Sequence, residues 1–266
     1  MSISKPFNFV QGDTPVLVSM PHSGLRLTQA VTDCLTPEAL SLPDTDWYIP
    51  EVYDFLSELK VGVLKANYSR YVIDLNRPKD DKPLYATKTT GLFPDILFSE
   101  RAMFKDGARV TMQHQQACIE HIWQPYHQQL SRELERLKQR FGYAILFDAH
   151  SIRAQVPMFF DGTLPDFNLG TNDGVACAPE LLAAAEQSLI NRGYTQVSNG
   201  RFKGGYITRS HGQPEQQTHA LQWELSQATY MQDGADYALD DNKCAQVRPQ
   251  LKALLTALVD CNPHKN

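Results

Sequence analysis

The chain has 266 residues, 25 basic and 30 acidic, and its net charge of −5 leaves no cationic footprint for nucleic acid or an acidic membrane surface. Apolar residues make up 42% and charged residues 21%, as in ordinary globular proteins. No apolar run approaches the roughly 18 residues of a membrane span. The N-terminus, Met1-Ser2-Ile3-Ser4-Lys5-Pro6-Phe7, lacks the apolar core of a secretory signal, and none of the five cysteines forms a Cys-x-x-Cys pair. A single cytoplasmic domain over 1–266, with reduced thiols, is the expectation.

Strand composition is first met over 15–20, a short and continuously apolar run of the kind buried on both faces of a sheet. It ends in Pro21-His22-Ser23-Gly24. Residues 47–59 place Tyr48, Val52, Phe55, Leu56 and Leu59 at helical spacing, just after Asp44 and Asp46. Strands are expected over 61–66 and 70–75, followed by a stretch rich in Pro and Gly over 76–109. A long helix is expected over 110–140, kinked at Pro125. A second apolar run over 143–148 leads into Asp148-Ala149-His150-Ser151, and a further strand is expected over 156–160. A helix over 178–192 starts near Pro179 and stops before Gly193. The glycine-rich segment 198–218 reads as loop, 220–225 as strand, and 244–259 as a last helix. This alternation predicts an α/β fold with a mixed, mainly parallel sheet and helices on both faces.

Two histidines at strand ends, from distant parts of the chain, can meet at the sheet edge where open α/β folds bind ligands. They are also the usual beginning of a metal site. A catalytic zinc takes three protein ligands from His, Asp or Glu and leaves a position open. His22 and His150 supply two; Asp46, preferred over Asp44, is the candidate third. Asp46 is equally placed to be a plain helix N-cap. Asp148 shares a strand face with His150, where it can orient the imidazole or simply bond backbone.

In His219-Ala220-Leu221-Gln222-Trp223-Glu224-Leu225-Ser226 the apolar Leu221, Trp223 and Leu225 take one face, and Gln222 and Glu224 the other. A glutamate inside such a strand must be paired, lie beside a metal, or carry a raised pKa. It is either a general base or half of a structural ion pair. Arg70, Asn76 and Arg77, with Arg153 and Arg209, form a set of groups suited to an anionic substrate or an oxyanion. The glycine-rich pieces lack the phosphate-loop and dinucleotide spacings.

Taken in order, Pro21-His22-Ser23-Gly24, Asp44-Thr45-Asp46-Trp47, Asp74-Leu75-Asn76-Arg77-Pro78, Phe147-Asp148-Ala149-His150-Ser151-Ile152-Arg153, Asn168-Leu169-Gly170-Thr171, Gly204-Gly205-Tyr206-Ile207-Thr208-Arg209 and Gln222-Trp223-Glu224-Leu225 resemble the N-formylglutamate amidohydrolases over about residues 8–232. The wider relatives are zinc carboxypeptidases and the aspartoacylase/succinylglutamate desuccinylase group. In those the acidic ligand follows the first histidine by three residues, where this chain has Leu25. The resemblance implies a zinc-carboxypeptidase-like fold with one Zn2+, or another divalent ion, on His22, Asp46 and His150, and Glu224 as the base. It implies Arg70 on the formyl oxygen, and Asn76, Arg77, Arg209 and Arg153 for the substrate carboxylates. The implied reaction is hydrolysis of N-formyl-L-glutamate to formate and L-glutamate in histidine degradation. The implied partner is that small anion, with no nucleic acid and no membrane. The alternatives are a zinc hydrolase of another N-acyl amino acid or peptide C-terminus, and a non-catalytic amino-acid- or anion-binding protein.

Overall fold

The computed structural model describes residues 3–83, 89–189, 193–234 and 237–264. Among the described residues seven strands form one sheet: β1 (Phe7–Val10), β2 (Val16–Met20), β3 (Gly62–Ala66), β4 (Ala144–Ile152), β5 (Phe167–Gly170), β6 (Gln196–Ser198) and β7 (Thr218–Ser226), in the order β1-β3-β2-β4-β7-β5-β6. The central β3, β2, β4 and β7 are mutually parallel, whereas β1 and β5 join antiparallel to β3 and β7, and β6 runs parallel to β5. The sheet is mixed with a parallel centre, as the sequence predicts.

The helices are α1 (Gln29–Cys34), α2 (Pro37–Leu40), α3 (Ile49–Val52), α4 (Met112–Cys118), α5 (Gln124–Phe141), α6 (Pro179–Ser188), α7 (Tyr206–His211) and α8 (Asp241–Asp260). Side-chain alternation divides the core between the two faces of the sheet. Val16, Val18, Ile145, Phe147, Leu221 and Trp223 pack with Leu181, Leu251 and Leu255 of α6 and α8. Leu17, Leu64, Leu146 and Ala220 pack with Tyr126, Leu130, Leu134 and Leu137 of α5. Among the described residues no helix is long and apolar enough to cross a membrane. All five cysteines are free.

Two expected strands are not strands. Residues 70–75 form turns, with Val72 N–H bonded to Ser69 O at 2.9 Å and Arg77 N–H to Asp74 O at 3.2 Å. Tyr71, Val72, Ile73 and Leu75 are buried in the second core, so their apolar character reports burial and not sheet pairing. Residues 156–160 likewise turn, through Phe159 N–H to Val156 O at 2.8 Å, and bury Val156 and Met158 in a third, small cluster. The 47–59 helix is broken into α3 and a 3₁₀ turn over Asp54–Ser57. The short β1, β5, β6, α1, α2 and α7 carry too few residues for a visible period. The end of the expected 178–192 helix, at 190–192, lies outside the described residues, as does 84–88 of the long loop.

The predicted kink at Pro125 takes the form of a π-helical turn over Ile119–Trp123, between α4 and α5. Proline cannot donate to the preceding turn, and the widened turn accommodates its ring. It also presents Trp123, whose Nε1–H donates to Arg77 O at 3.0 Å.

Candidate metal centre and cleft

Strand register brings the polar residues together. β2 aligns Ser19 with Asp148, and β7 aligns Gln222 with Asp148 and Glu224 with His150. All lie on the face that carries Leu17, Leu146 and Ala220 nearer the strand starts. The apolar face thus becomes polar as the parallel strands reach their C-terminal ends, where ligands bind in such sheets. His22 stands two residues past β2. The chain then passes tightly over Tyr68 O, where a Cβ at Gly24 would collide. Asp46 is tied beside His22 through its own N–H, which bonds His22 O at 3.2 Å.

Asp46 is not an N-cap: Tyr48, in the left-handed region, occupies that position of α3. Its carboxylate instead lies 3.2 Å from His150 Nδ1 and 3.8 Å from His22 Nδ1, and the two Nδ1 atoms are 3.1 Å apart. The three ligand atoms lie within 4.8 Å of one another and all three residues are buried. Asp44 is committed elsewhere, accepting from Tyr71 Oη at 2.7 Å and Phe98 N–H at 3.0 Å.

These residues fit a cation. His22 Nε2 donates to Asp74 Oδ1 at 2.7 Å, and His150 Nε2 donates to Asp148 Oδ2 at 3.0 Å. Burial raises the Asp74 pKa, but His22 and Arg70 outweigh it and hold the carboxyl well below the usual carboxylate range. Burial and the Arg70 charge lower His22, against the pull of Asp74, and favour its neutral form. With its Nε2 proton on Asp74, His22 turns a bare Nδ1 lone pair toward His150 Nδ1 and Asp46. Burial also lowers His150, but Asp148 and Asp46 reverse the effect and raise it well above an ordinary imidazole. A proton on His150 Nδ1 relieves the facing lone pairs when no metal is bound. A metal ion at the same place would relieve them equally, with both imidazoles neutral and oriented by carboxylates.

Glu224 lines the same cleft as His22, Asp46, Arg70 and His150. Burial raises its pKa to about 8, with the His150 charge opposing and Asp46 reinforcing. Gln222 Nε2 lies 3.5 Å from Glu224 Oε2, while Gln222 Oε1 accepts from Gly205 N–H at 2.7 Å. Arg70 is buried, donates Nη2 to Asp74 Oδ2 at 2.8 Å and stacks on Phe98 at 4.8 Å; its Nε has no partner among the described residues.

Asn76 and Arg77 also line the cleft. Asn76 Oδ1 accepts from Ile207 N–H at 2.8 Å, and Nδ2 lies 3.1 Å from His150 Nε2. A Cβ at Gly205 would collide with this amide, so glycine is required there. Arg77 donates to Thr90 O, Asn76 O and Thr89 Oγ1 at 2.7–2.9 Å. Arg153 and Arg209, expected to hold substrate, are not among the lining residues. Arg153 Nη2 is 3.5 Å from Asp44, and Arg209 on α7 donates Nε to Gly204 O at 2.8 Å. The sequence reading missed Gln222, Ser151 and Arg201 as lining residues, and Asp74 as the His22 partner. Gln222 was legible two residues before Glu224 on the same strand face; Arg201, in a glycine-rich loop, left no pattern.

Known proteins resemble this chain. The sequence model of the N-formylglutamate amidohydrolases matches residues 14–231. An N-formylglutamate deformylase of Pseudomonas aeruginosa is 52% identical over 95% of both chains, and one of Pseudomonas putida is 51% identical over 97% of both. The crystal structure of an N-formylglutamate amidohydrolase from Ralstonia eutropha JMP134 superposes with a TM-score of 0.80 at 23% identity, covering 96% of this chain and 98% of that one, which establishes the common fold. With the family match spanning His22 through Glu224, every cleft residue above falls inside it, and the chain belongs to the N-formylglutamate amidohydrolase family.

Proposed function

We propose that this protein hydrolyses N-formyl-L-glutamate to formate and L-glutamate, the activity named for its half-identical relatives. The observation that carries the mechanism is the convergence of His22 Nδ1, His150 Nδ1 and Asp46, all buried, in the cleft that Glu224 also lines. His22, Asp46 and His150 would hold one divalent cation, taken as Zn2+ from the donor set. When bound, it supplies a Lewis acid toward the formyl oxygen and makes water acidic enough to deprotonate near neutral pH.

Glu224, lining the same cleft, would accept a proton from the attacking water and return it to the leaving amine, and a bound cation would favour its carboxylate form. Asp74 and Asp148 hold the two imidazoles in one tautomer and orientation. Arg70, fixed by Asp74 and Phe98, lines the cleft and would bring its positive charge to the oxygen charge that grows during attack. Arg77, with Asn76 beside it, faces the substrate α-carboxylate. The formyl group is the smallest acyl group, and the space among His150, Glu224 and Arg70 is expected to reject acetyl and succinyl analogues. Free thiols accord with a cytoplasmic setting, and the substrate is a product of histidine breakdown in that reading.

The test is formate release from N-formyl-L-glutamate before and after chelation, with stoichiometric metal add-back. Release that vanishes on chelation and returns with about one cation per chain supports the reading. Equal turnover of N-acetyl-L-glutamate, or no metal bound, would overturn it.

A further inference from the structure

Three arginines line the cleft, and they differ in what they have left to give. Arg70 is paired with Asp74 at 2.8 Å. Arg77 gives one bond from each of its three nitrogens to the 89–90 segment and its own backbone neighbour, which leaves one N–H on each terminal nitrogen. Arg201 donates only Nε, to Phe159 O at 2.5 Å, and pairs with no carboxylate among the described residues. Its guanidinium lies 5.8 Å from the Phe159 ring and 5.4 Å from the Phe202 ring. The rings and the Phe159 carbonyl hold the group while leaving the two terminal nitrogens, the fork that grips a carboxylate, uncommitted.

A continuous stack relates this fork to the metal centre. Arg70 sits over Phe98 at 4.8 Å; Phe98 meets Phe159 edge-to-face at 4.7 Å; Phe159 underlies Arg201. Arg70 marks the reacting end, because its partner Asp74 also holds His22. Arg201 is therefore two aromatic rings farther along the same wall. In an N-acylglutamate the α-carboxylate carbon is one bond from the α-carbon, and the reading above sets it near Asn76 and Arg77. The side-chain carboxylate carbon is three bonds away and needs a cation placed beyond them. The loop that carries Arg201 is anchored to the same centre, since Gly205 N–H bonds Gln222 Oε1 at 2.7 Å.

We propose that Arg201 is the specificity-determining residue that binds the side-chain carboxylate of the substrate and makes the enzyme select N-formylated acidic amino acids over neutral ones. The assignment rests on the deformylase reading above and adds to it a subsite at the outer end of the cleft. A purely structural Arg201, holding only Phe159, would treat all substrates alike.

The experiment measures kcat/KM for formate release from N-formyl-L-glutamate and from its neutral isostere N-formyl-L-glutamine, with the wild type, Arg201→Ala and Arg201→Lys. Loss of a charge-assisted carboxylate contact is expected to lower kcat/KM on the glutamate substrate roughly 10- to 100-fold, mainly through KM. The glutamine substrate should change less than about twofold, because it never made that contact. Arg201→Lys should recover part of the preference. The ratio of the two substrates is unaffected by any loss of folded enzyme. Equal losses on both substrates, or no change in the ratio, would overturn the proposal, as would a wild type that turns over both equally well while still releasing formate. A wild type that releases formate from neither substrate would instead sink the deformylase reading, and this subsite with it.

Discussion

His150 and Glu224 reach the cleft from strands hydrogen-bonded side by side, whereas Arg77 and Arg201 reach it from loops. On the strand side the geometry is imposed by sheet register, and each imidazole is further held by a buried carboxylate. On the loop side single side chains are anchored by backbone carbonyls and ring faces, and Arg201 remains half-buried. The difference teaches a division of labour. In the proposed reading, bond-breaking would rest on the rigid elements, which hold placement to fractions of an ångström, and substrate selection on loops that can vary without disturbing them.

Perturbing the strand side should abolish chemistry regardless of substrate. His22→Ala removes one of three ligands and is expected to eliminate both stoichiometric metal binding and formate release, with the circular dichroism spectrum retained. Metal analysis after dialysis checks this; full occupancy in the variant would refute the proposed ligand set. Glu224→Gln keeps the side-chain shape and the ligands but removes the base. It should lower kcat by about 10²- to 10⁴-fold with metal content unchanged. A variant with near-normal kcat would remove Glu224 from the mechanism. One step farther out, Asp74→Asn deprives His22 of its carboxylate partner and should weaken metal binding by roughly 10- to 100-fold. Competition with a chelator reads this directly.

The smallest expected effect concerns protons in the metal-free protein. Glu224 is raised to about 8 and His150 well above its ordinary value, so both bind protons more tightly folded than unfolded. Their stabilisation is complete below the unfolded values, near 4.5 for Glu224 and 6.5 for His150, and is lost as pH rises through the folded ones. The melting temperature of chelated protein should therefore fall by a few degrees between about pH 6 and 9, and added metal should remove the fall. A melting temperature that rises across this window without metal would contradict the proton-for-metal exchange. The loop side behaves differently under the same tests, since Arg201 variants should change the choice of substrate while leaving metal content and this pH response intact.

The sequence by itself determined the sheet centre and the side chains that meet at its edge. Continuous apolar runs over 15–20 and 143–148 became β2 and β4, the alternation around Glu224 became β7, and His22, Asp46, His150 and Glu224 meet in one cleft. Period and strand-end position are local properties, so they are written in neighbouring residues. Tertiary structure alone decided the rest. The apolar content of 70–75 looks like a strand but is buried as turns beneath α5. The choice of Asp46 over Asp44 depends on Tyr71 and Phe98, which capture Asp44. Arg153 and Arg209 stand beside the right motifs but off the cleft wall, whereas Arg201 enters it through contacts with Phe159 and Phe202. Which of several arginines faces a substrate is set by loop paths and by the partners that claim each guanidinium, and those contacts span tens of residues along the chain.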